Sequence, residues 1–207
     1  MSVEAVVFDI GNVLIEWQPE RHYDAKFGEA RRRAMFDAID MHEVNDRVDR
    51  GADFKATIYG AAEAAPEFAA EIRDWHDAWL SLAGPAIQHS VTLLRALRAK
   101  GIPCFALSNF GIGTFEIAEV EWPFLTDFDR RYISGYMGQV KPETPIYEML
   151  EADCGVSPKG LLFADDRADN IEAAAARGWQ THLFDGPEGW ARRLVAEGLL
   201  TTEEALP

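Results

Sequence analysis

Cysteine is scarce in this 207-residue chain: only Cys104 and Cys154 occur. That excludes a disulfide framework and a cysteine zinc site. No apolar run approaches the ~20 residues needed to cross a bilayer. The opening stretch MSVEAVVFDIGNVL is apolar, but it lacks a basic lead-in and is interrupted by Asp9 and Asn12. It reads as a buried strand and not as a signal peptide, so a cytoplasmic setting is the expectation. Basic residues are few: 20 Lys and Arg against 35 Asp and Glu leave a formal charge of −15. Such a field repels nucleic-acid backbones, so no nucleic-acid partner is expected. It also means that any site for an anion has to be made electropositive locally. The five histidines show no metal-like spacing, and no internal repeat or low-complexity tract is visible. Hydrophobic residues at 48% and charged residues at 27% describe an ordinary folded protein.

Four apolar runs organise what is there. Residues 3–8 (VEAVVF) are rich in valine and followed by Asp9, the pattern of a buried parallel strand. Residues 103–107 end at Ser108, residues 161–164 (LLFA) end at the pair Asp165–Asp166, and residues 181–184 form a fourth run. Helical patterns lie between them. Residues 90–100 stop at Gly101 and Pro103, and a helix beginning near Pro142 carries Ile146, Tyr147, Met149 and Leu150. Residues 170–177 are alanine-rich and stop at Gly178, a favoured residue just past a helix end. Strands alternating with helices imply an α/β fold, a Rossmann-like three-layer α/β/α core around a parallel sheet. Such sheets gather their functional groups at the strands' carboxyl ends. Three of the four ends carry Asp9, Ser108 and Asp165–Asp166.

Residues 16–84 differ. They hold helical patterns at 29–40 and 66–82 and no convincing strand, with Trp17, Trp75, Trp79, Phe36, Phe54 and Phe68 available for a small core of their own. The expectation is an all-helical cap inserted after the first strand. Gly84–Pro85 marks the return to the sheet. The division is then 1–15 and 85–207 for the core and 16–84 for the cap.

A strand-terminal aspartate alone reads as a turn or helix-cap residue, and Ser108–Asn109 alone as a helix cap. The order of motifs changes that reading. VVFDIGNVL resembles the first motif of the haloacid dehalogenase-like (HAD) hydrolases, LSNF the second, GQVKPETPIY with Lys141 the third, and FADDRADN the acidic fourth. The arrangement is most similar to the subgroup that contains glucose-1-phosphatase and the phosphatase domain of soluble epoxide hydrolase, whose helical cap lies between motifs one and two. The resemblance implies a Mg2+-dependent phosphatase acting on a small phosphate ester or acyl phosphate through an aspartyl-phosphate. Asp9 would be the nucleophile. Ser108, the amide of Asn109 and Lys141 would hold the phosphoryl group. Asp9, the Gly11 carbonyl and Asp166 would hold the metal, with Asp165 as an outer or alternate ligand. Splitting the displacement into two steps at a carboxylate is sound chemistry for phosphoryl transfer, and magnesium needs only one or two protein carboxylates. Asp169 and Arg167 read as structural, and Asn170 as a support of the metal loop.

One position departs from the usual motif. Where most such phosphatases have a second aspartate, the general acid, this chain has Gly11. General acid catalysis is typically worth ~10²–10⁴ in rate. Glu16 and His22, near the expected cap entrance, are candidates for a replacement donor. Two rival functions stand beside phosphatase. A 2-haloacid dehalogenase would use Asp9 without a metal, but would replace the acidic fourth motif by serine and asparagine, whereas Asp165–Asp166 is intact. A binding or regulatory protein would have kept the fold and lost the acid.

Overall fold

The computed structural model describes residues 2–207. The first run becomes strand β1 (Ala5–Phe8), fully buried. A short ribbon follows, β2 (Ile15–Trp17) antiparallel to β3 (Ala83–Ala86), with the helical segment between its strands. The sheet then resumes with β4 (Cys104–Ser108), β5 (Arg130–Ile133), β6 (Leu161–Asp165) and β7 (Gln180–Leu183). The five strands of the main sheet run in the order β5-β4-β1-β6-β7, and every pairing between them is parallel.

Strand alternation divides β1 between two cores, because successive side chains point to opposite faces of a sheet. Val6 and Phe8 face one core with Ala106, Leu162 and Trp190. Ala5 and Val7 face the other with Phe105, Phe163 and Tyr147. Helices Gln88–Ala99 and Pro187–Ala196 supply the first side, and Thr144–Cys154 and Ala168–Ala176 the second. This is the expected three-layer arrangement.

Strand β5 and the β2–β3 ribbon were not expected from sequence. Strand β5 lies at the sheet edge, and its two arginines stay exposed. The ribbon is short, and half of it reads AGPA, without the branched residues that signal a strand. The helical pattern at 66–82 is not one helix. It is a 3₁₀ turn at Pro66–Phe68, a helix Ala69–Asp77 and a last turn Trp79–Leu82.

The expectation of a separate core under the helices needs correction. Tyr23, Met35, Ile58, Trp75 and Trp79 belong to the same buried cluster as Val6 and Phe8. Trp79 is the junction: its ring meets Trp17 at 6.2 Å, Phe110 at 5.7 Å and Trp122 at 6.4 Å between centroids. The aromatic set foreseen for a small core therefore also welds the helices to the sheet. Among the described residues no helix is long and apolar enough to cross a membrane.

Candidate active site

The carboxyl end of the sheet opens into a pocket of about 450 Å³ whose lining includes Asp9, Ser108, Lys141 and Asp166. Register places these groups together. Phe8 pairs with Ala106 on one side and Ala164 on the other, so the residues that follow each strand emerge side by side. The Asp9 amide still donates to Ala164 O at 2.9 Å, which pins the aspartate where the chain leaves the sheet.

Asp9 is buried. Its Oδ1 accepts hydrogen bonds from Ser108 Oγ at 2.6 Å and from the Ile10 amide at 2.7 Å. Lys141 Nζ lies 2.9 Å from the same oxygen. All three donors converge on Oδ1, which orients the carboxylate, and Oδ2 takes none of them. Burial pushes the Asp9 carboxyl up to about 7, against the lowering by the Lys141 ammonium, with Asp165 adding to the rise. Lys141 is itself buried, which opposes its charge, yet Asp165 and Asp9 hold its pKa above the ordinary lysine value.

The two neighbouring aspartates at the end of β6 are differently placed. Asp165 is fully buried. It receives Lys141 Nζ at 2.6 Å, the Arg167 amide at 2.8 Å and the Asn170 side-chain amide at 3.0 Å to each oxygen. Asp166 is only partly buried, and its Oδ2 accepts from Asn12 Nδ2 at 3.0 Å. Burial, with Asp165 alongside, raises its pKa. Carboxylate oxygens of Asp9, Asp165 and Asp166 all lie within 4.8 Å of one another.

Two asparagines hold this set in place: Asn12, to which the sequence reading gave no role, and Asn109, expected there to offer its amide to a phosphoryl group. Asn12 sits at φ 54°, a left-handed conformation that asparagine tolerates better than most residues. Besides holding Asp166, it accepts the Trp17 amide at 2.9 Å, joining Asp166 to the start of the helical segment. Gly11 is not in that left-handed region, and a Cβ built on it meets nothing within 4 Å. Asn109 is a clamp: its Nδ2 donates to Lys141 O at 2.9 Å and its Oδ1 accepts the Lys141 amide at 2.8 Å. The lysine from a distant loop is thereby fixed to the end of β4. The signal for Asn109 was its place directly after Ser108, and for Asn12 a polar residue within the apolar first motif, three residues past Asp9.

Asp169 and Asn170 lie in the first turn of the helix Ala168–Ala176 that follows β6, with Asp169 accepting the Asn170 amide at 2.9 Å. Arg167 pairs with Asp169 at 2.6 Å at the pocket rim. The proposed replacement donors fare differently. Glu16 lines the pocket, but its carboxylate is engaged by Arg21 at 2.7 Å. His22 is held by Asp74 at 2.7 Å and is not part of the pocket lining. Instead the helix Met41–Asp49 presents His42, Asn45, Asp46 and Asp49 to the pocket, none of which stood out in the sequence.

A family model described as haloacid dehalogenase-like hydrolase matches residues 3–178. Drimenol cyclase drtB of Aspergillus calidoustus is 25% identical over 93% of this chain, which spans only 36% of that protein. D-ribitol-5-phosphate phosphatase of Bacteroides thetaiotaomicron is 23% identical over 93% of this chain and 97% of its own length. Among solved structures, a HAD-family enzyme of B. thetaiotaomicron in complex with magnesium and inorganic phosphate superposes with a TM-score of 0.72 at 22% identity, covering 93% of this chain and 99% of that one. The L-2-haloacid dehalogenase of Xanthobacter autotrophicus superposes with a TM-score of 0.63 at 20% identity, covering 98% and 86%. At these identities the structural likenesses establish the fold and leave phosphatase and dehalogenase chemistry to be decided by the site.

Proposed function

This chain belongs to the haloacid dehalogenase-like hydrolases, and from that premise we propose that it is a Mg2+-dependent phosphatase of a small phosphorylated metabolite, working through an aspartyl-phosphate on Asp9. The observation that carries this reading is the set of three carboxylates gathered within 4.8 Å around one buried ammonium, Lys141. Like charges this close disfavour one another's ionisation, and one lysine offsets one of the three. The set calls for a further cation with oxygen-ligand preferences. The buried Asn170 Oδ1, which has no partner among the described residues, adds a free acceptor beside the same loop, suited to an ordered water.

Residues Asp9, Gly11 through its carbonyl and Asp166 are proposed to hold the ion, with Asp165 outside its immediate shell because Lys141, Arg167 N and Asn170 already occupy its oxygens. When bound, magnesium would offset charge on the phosphoryl oxygens and keep Asp9 ionised at neutral pH. The protein groups do the rest. Ser108 and Lys141 orient Asp9 and are placed to donate to phosphoryl oxygens, a preorganised electrostatic contribution. Asn109 positions Lys141 rather than offering its side chain to the substrate. The helices between β2 and β3 act in this reading as the cap over residues 1–15 and 85–207, and they would choose the substrate. A pocket of about 450 Å³ falls in the range of small-molecule sites. The phosphatase named among the relatives supports the reaction class and leaves the substrate of this chain open.

The test is phosphate release from p-nitrophenyl phosphate and a panel of sugar, polyol and acyl phosphates, with magnesium and with chelator, alongside halide release from L-2-chloropropionate. Magnesium-dependent phosphate release is expected. Halide release that survives chelator would overturn the reading in favour of the dehalogenase, and no turnover of either class would leave a binding protein.

A further inference from the structure

Gly11 leaves the site without the usual proton donor, and the cap supplies a carboxyl in a position to replace it. Asp49 is the last residue of the helix Met41–Asp49 and lines the same pocket as Asp9, Ser108 and Lys141. It is fastened to the loop that follows Ser108. Its carbonyl accepts from Ser134 Oγ at 2.6 Å, and that hydroxyl in turn accepts the Phe110 amide at 2.8 Å. Its side chain accepts from Asn45 Nδ2 at 3.0 Å and from the backbone amide of Gly111. The approach is so close that a Cβ on Gly111 would lie 2.5 Å from Val48 Cγ1 and 3.0 Å from Val48 O. The sequence keeps a glycine where the cap helix meets the catalytic loop, and the meeting delivers one carboxyl.

The charges around it favour its protonated form. Among the described residues no salt bridge reaches Asp49, and the adjacent Arg50 is committed to Asp46 and Glu143. A helix C-terminus is the negative end of the macrodipole, where a carboxylate is disfavoured. The charges that act on Asp49 are Asp46, one turn back, and Asp9 across the pocket, both negative. Of the segments packed against this helix end, Phe54–Ala64 carries Lys55 and Tyr59, which engage each other and Asp77, and an exposed Glu63. Ser134–Met137 carries only Tyr136, which is exposed. Burial first, then Asp46, push the Asp49 carboxyl up to about 7 against the Gly111 and Asn45 hydrogen bonds, the range suited to acid–base work at neutral pH.

We propose that Asp49 is the general acid, and then the general base, of the reaction, an inference that rests on the phosphatase reading. As an Asp9 oxygen forms its bond to phosphorus, the bond to the leaving oxygen breaks, and that oxygen takes the Asp49 proton and departs as the alcohol. The Asp49 carboxylate then accepts a proton from the water that attacks phosphorus. The bond to Asp9 breaks, its electron pair returns to Asp9, and inorganic phosphate leaves.

The experiment compares kcat/KM, which reports the first step, for wild type, Asp49→Asn, Asp49→Glu, Gly11→Asp and the double variant Gly11→Asp/Asp49→Asn. Substrates run from acyl and p-nitrophenyl phosphate to phenyl and alkyl phosphates. Asn keeps an acceptor for Asn45 and Gly111, and thermal melts confirm that each variant folds. Wild type should depend only weakly on leaving-group pKa and lose activity as pH rises above about 7, where Asp49 gives up its proton. Asp49→Asn should slow alkyl phosphates by ~10²–10⁴ and p-nitrophenyl phosphate by less than about tenfold, and should abolish the alkaline limb. Asp49→Glu should keep part of both. Gly11→Asp, for which the site has room, should restore much of the lost alkyl-phosphate turnover in the double variant relative to Asp49→Asn alone. An unchanged slope and limb in Asp49→Asn, or an equal loss for every substrate, would overturn the assignment, as would a wild-type profile already steep in leaving-group pKa. Wild type inactive on every phosphate would fail the phosphatase reading itself, a result visible before any variant is made.

Discussion

The strand ends and the helical roof above them build the same pocket by different rules. At the strand ends, position follows from register: Asp9, Ser108 and Asp165 emerge next to each other because β1 pairs with β4 and β6. In the roof, Asp49 reaches the pocket only because Gly111 lets a helix end close on a loop and Trp79 ties the helices to the sheet. The first rule tolerates little variation, because moving one strand moves every group. The second can be retuned residue by residue. Under the proposed function the difference amounts to a division of labour, with the phosphoryl chemistry at the sheet and proton transfer and selection in the roof.

The largest effects should come from the sheet, and should ignore the substrate. Asp9→Asn removes the proposed nucleophile and should lower activity by on the order of 10⁴–10⁶, as for loss of a nucleophile elsewhere, equally for good and poor leaving groups. Steady-state and single-turnover rates across the substrate panel check this, and a loss that varied with leaving group would break the division. Asp166→Asn comes next. It should raise the magnesium concentration needed for activity by at least the roughly 10–100-fold that even a supporting residue of a metal site is worth. A magnesium titration reads this, and the wild type treated with chelator should lose activity and regain it on adding Mg2+. An Asp166→Asn enzyme with an unaltered magnesium curve would transfer the direct contact to Asp165.

A change at the seam between the two regions should be smaller and split by substrate. Gly111→Ala places a methyl group 2.5 Å from Val48 Cγ1, an overpacking expected to cost about 1–3 kcal/mol. Relief requires the end of the Asp49 helix to back away. Urea unfolding should register the loss of stability, and turnover of alkyl phosphates should fall more than that of p-nitrophenyl phosphate. Equal falls for both would mean that the loop carrying Ser108 had moved instead of the roof.

The same contrast explains what could be read from the sequence. Asp9, Ser108 and Asp165–Asp166 were legible because each closes an apolar run, and a parallel sheet brings such ends together. Lys141 and the Gly11 carbonyl became candidates only through motif order. Strand β5 stayed hidden because an edge strand bearing Arg130 and Arg131 lacks a two-sided apolar pattern. The ribbon stayed hidden because Gly84 and Pro85 read as punctuation. Asp49 was invisible in principle: within VNDRVDRG it looks like one more residue of a solvated charged face. Its burial comes from Gly111 and Ser134, more than 60 residues away in the chain. Glu16 and His22 were sensible guesses by proximity to the first motif, but Arg21 engages the one and the distant Asp74 the other.

The smallest expected effect tests how firmly roof and sheet are latched at the surface. Arg50, the residue after Asp49, forms a two-pronged contact with Glu143 near Lys141, Nη2 to Oε1 at 2.8 Å and Nη1 to Oε2 at 3.3 Å. The side chains are 40% and 44% exposed, so water and salt screen the pair. A double-mutant cycle with Arg50→Ala and Glu143→Gln should give a coupling of about 0.2–1 kcal/mol. The hydrogen bond and charge of Arg50 hold the Glu143 pKa below its ordinary value of 4.5. A folded pKa below the unfolded one means the contribution is fully present above pH 4.5 and fades as pH falls through the lower, folded value. At 1 M salt, where the screening length is about 3 Å, most of the coupling should vanish. Unfolding free energies at pH 7 and pH 3, each at low and high salt, complete the measurement. A coupling well above ~1 kcal/mol that resisted both salt and acid would show the roof clamped to the sheet through this pair, and the roof could then no longer be treated as the adjustable half of the site.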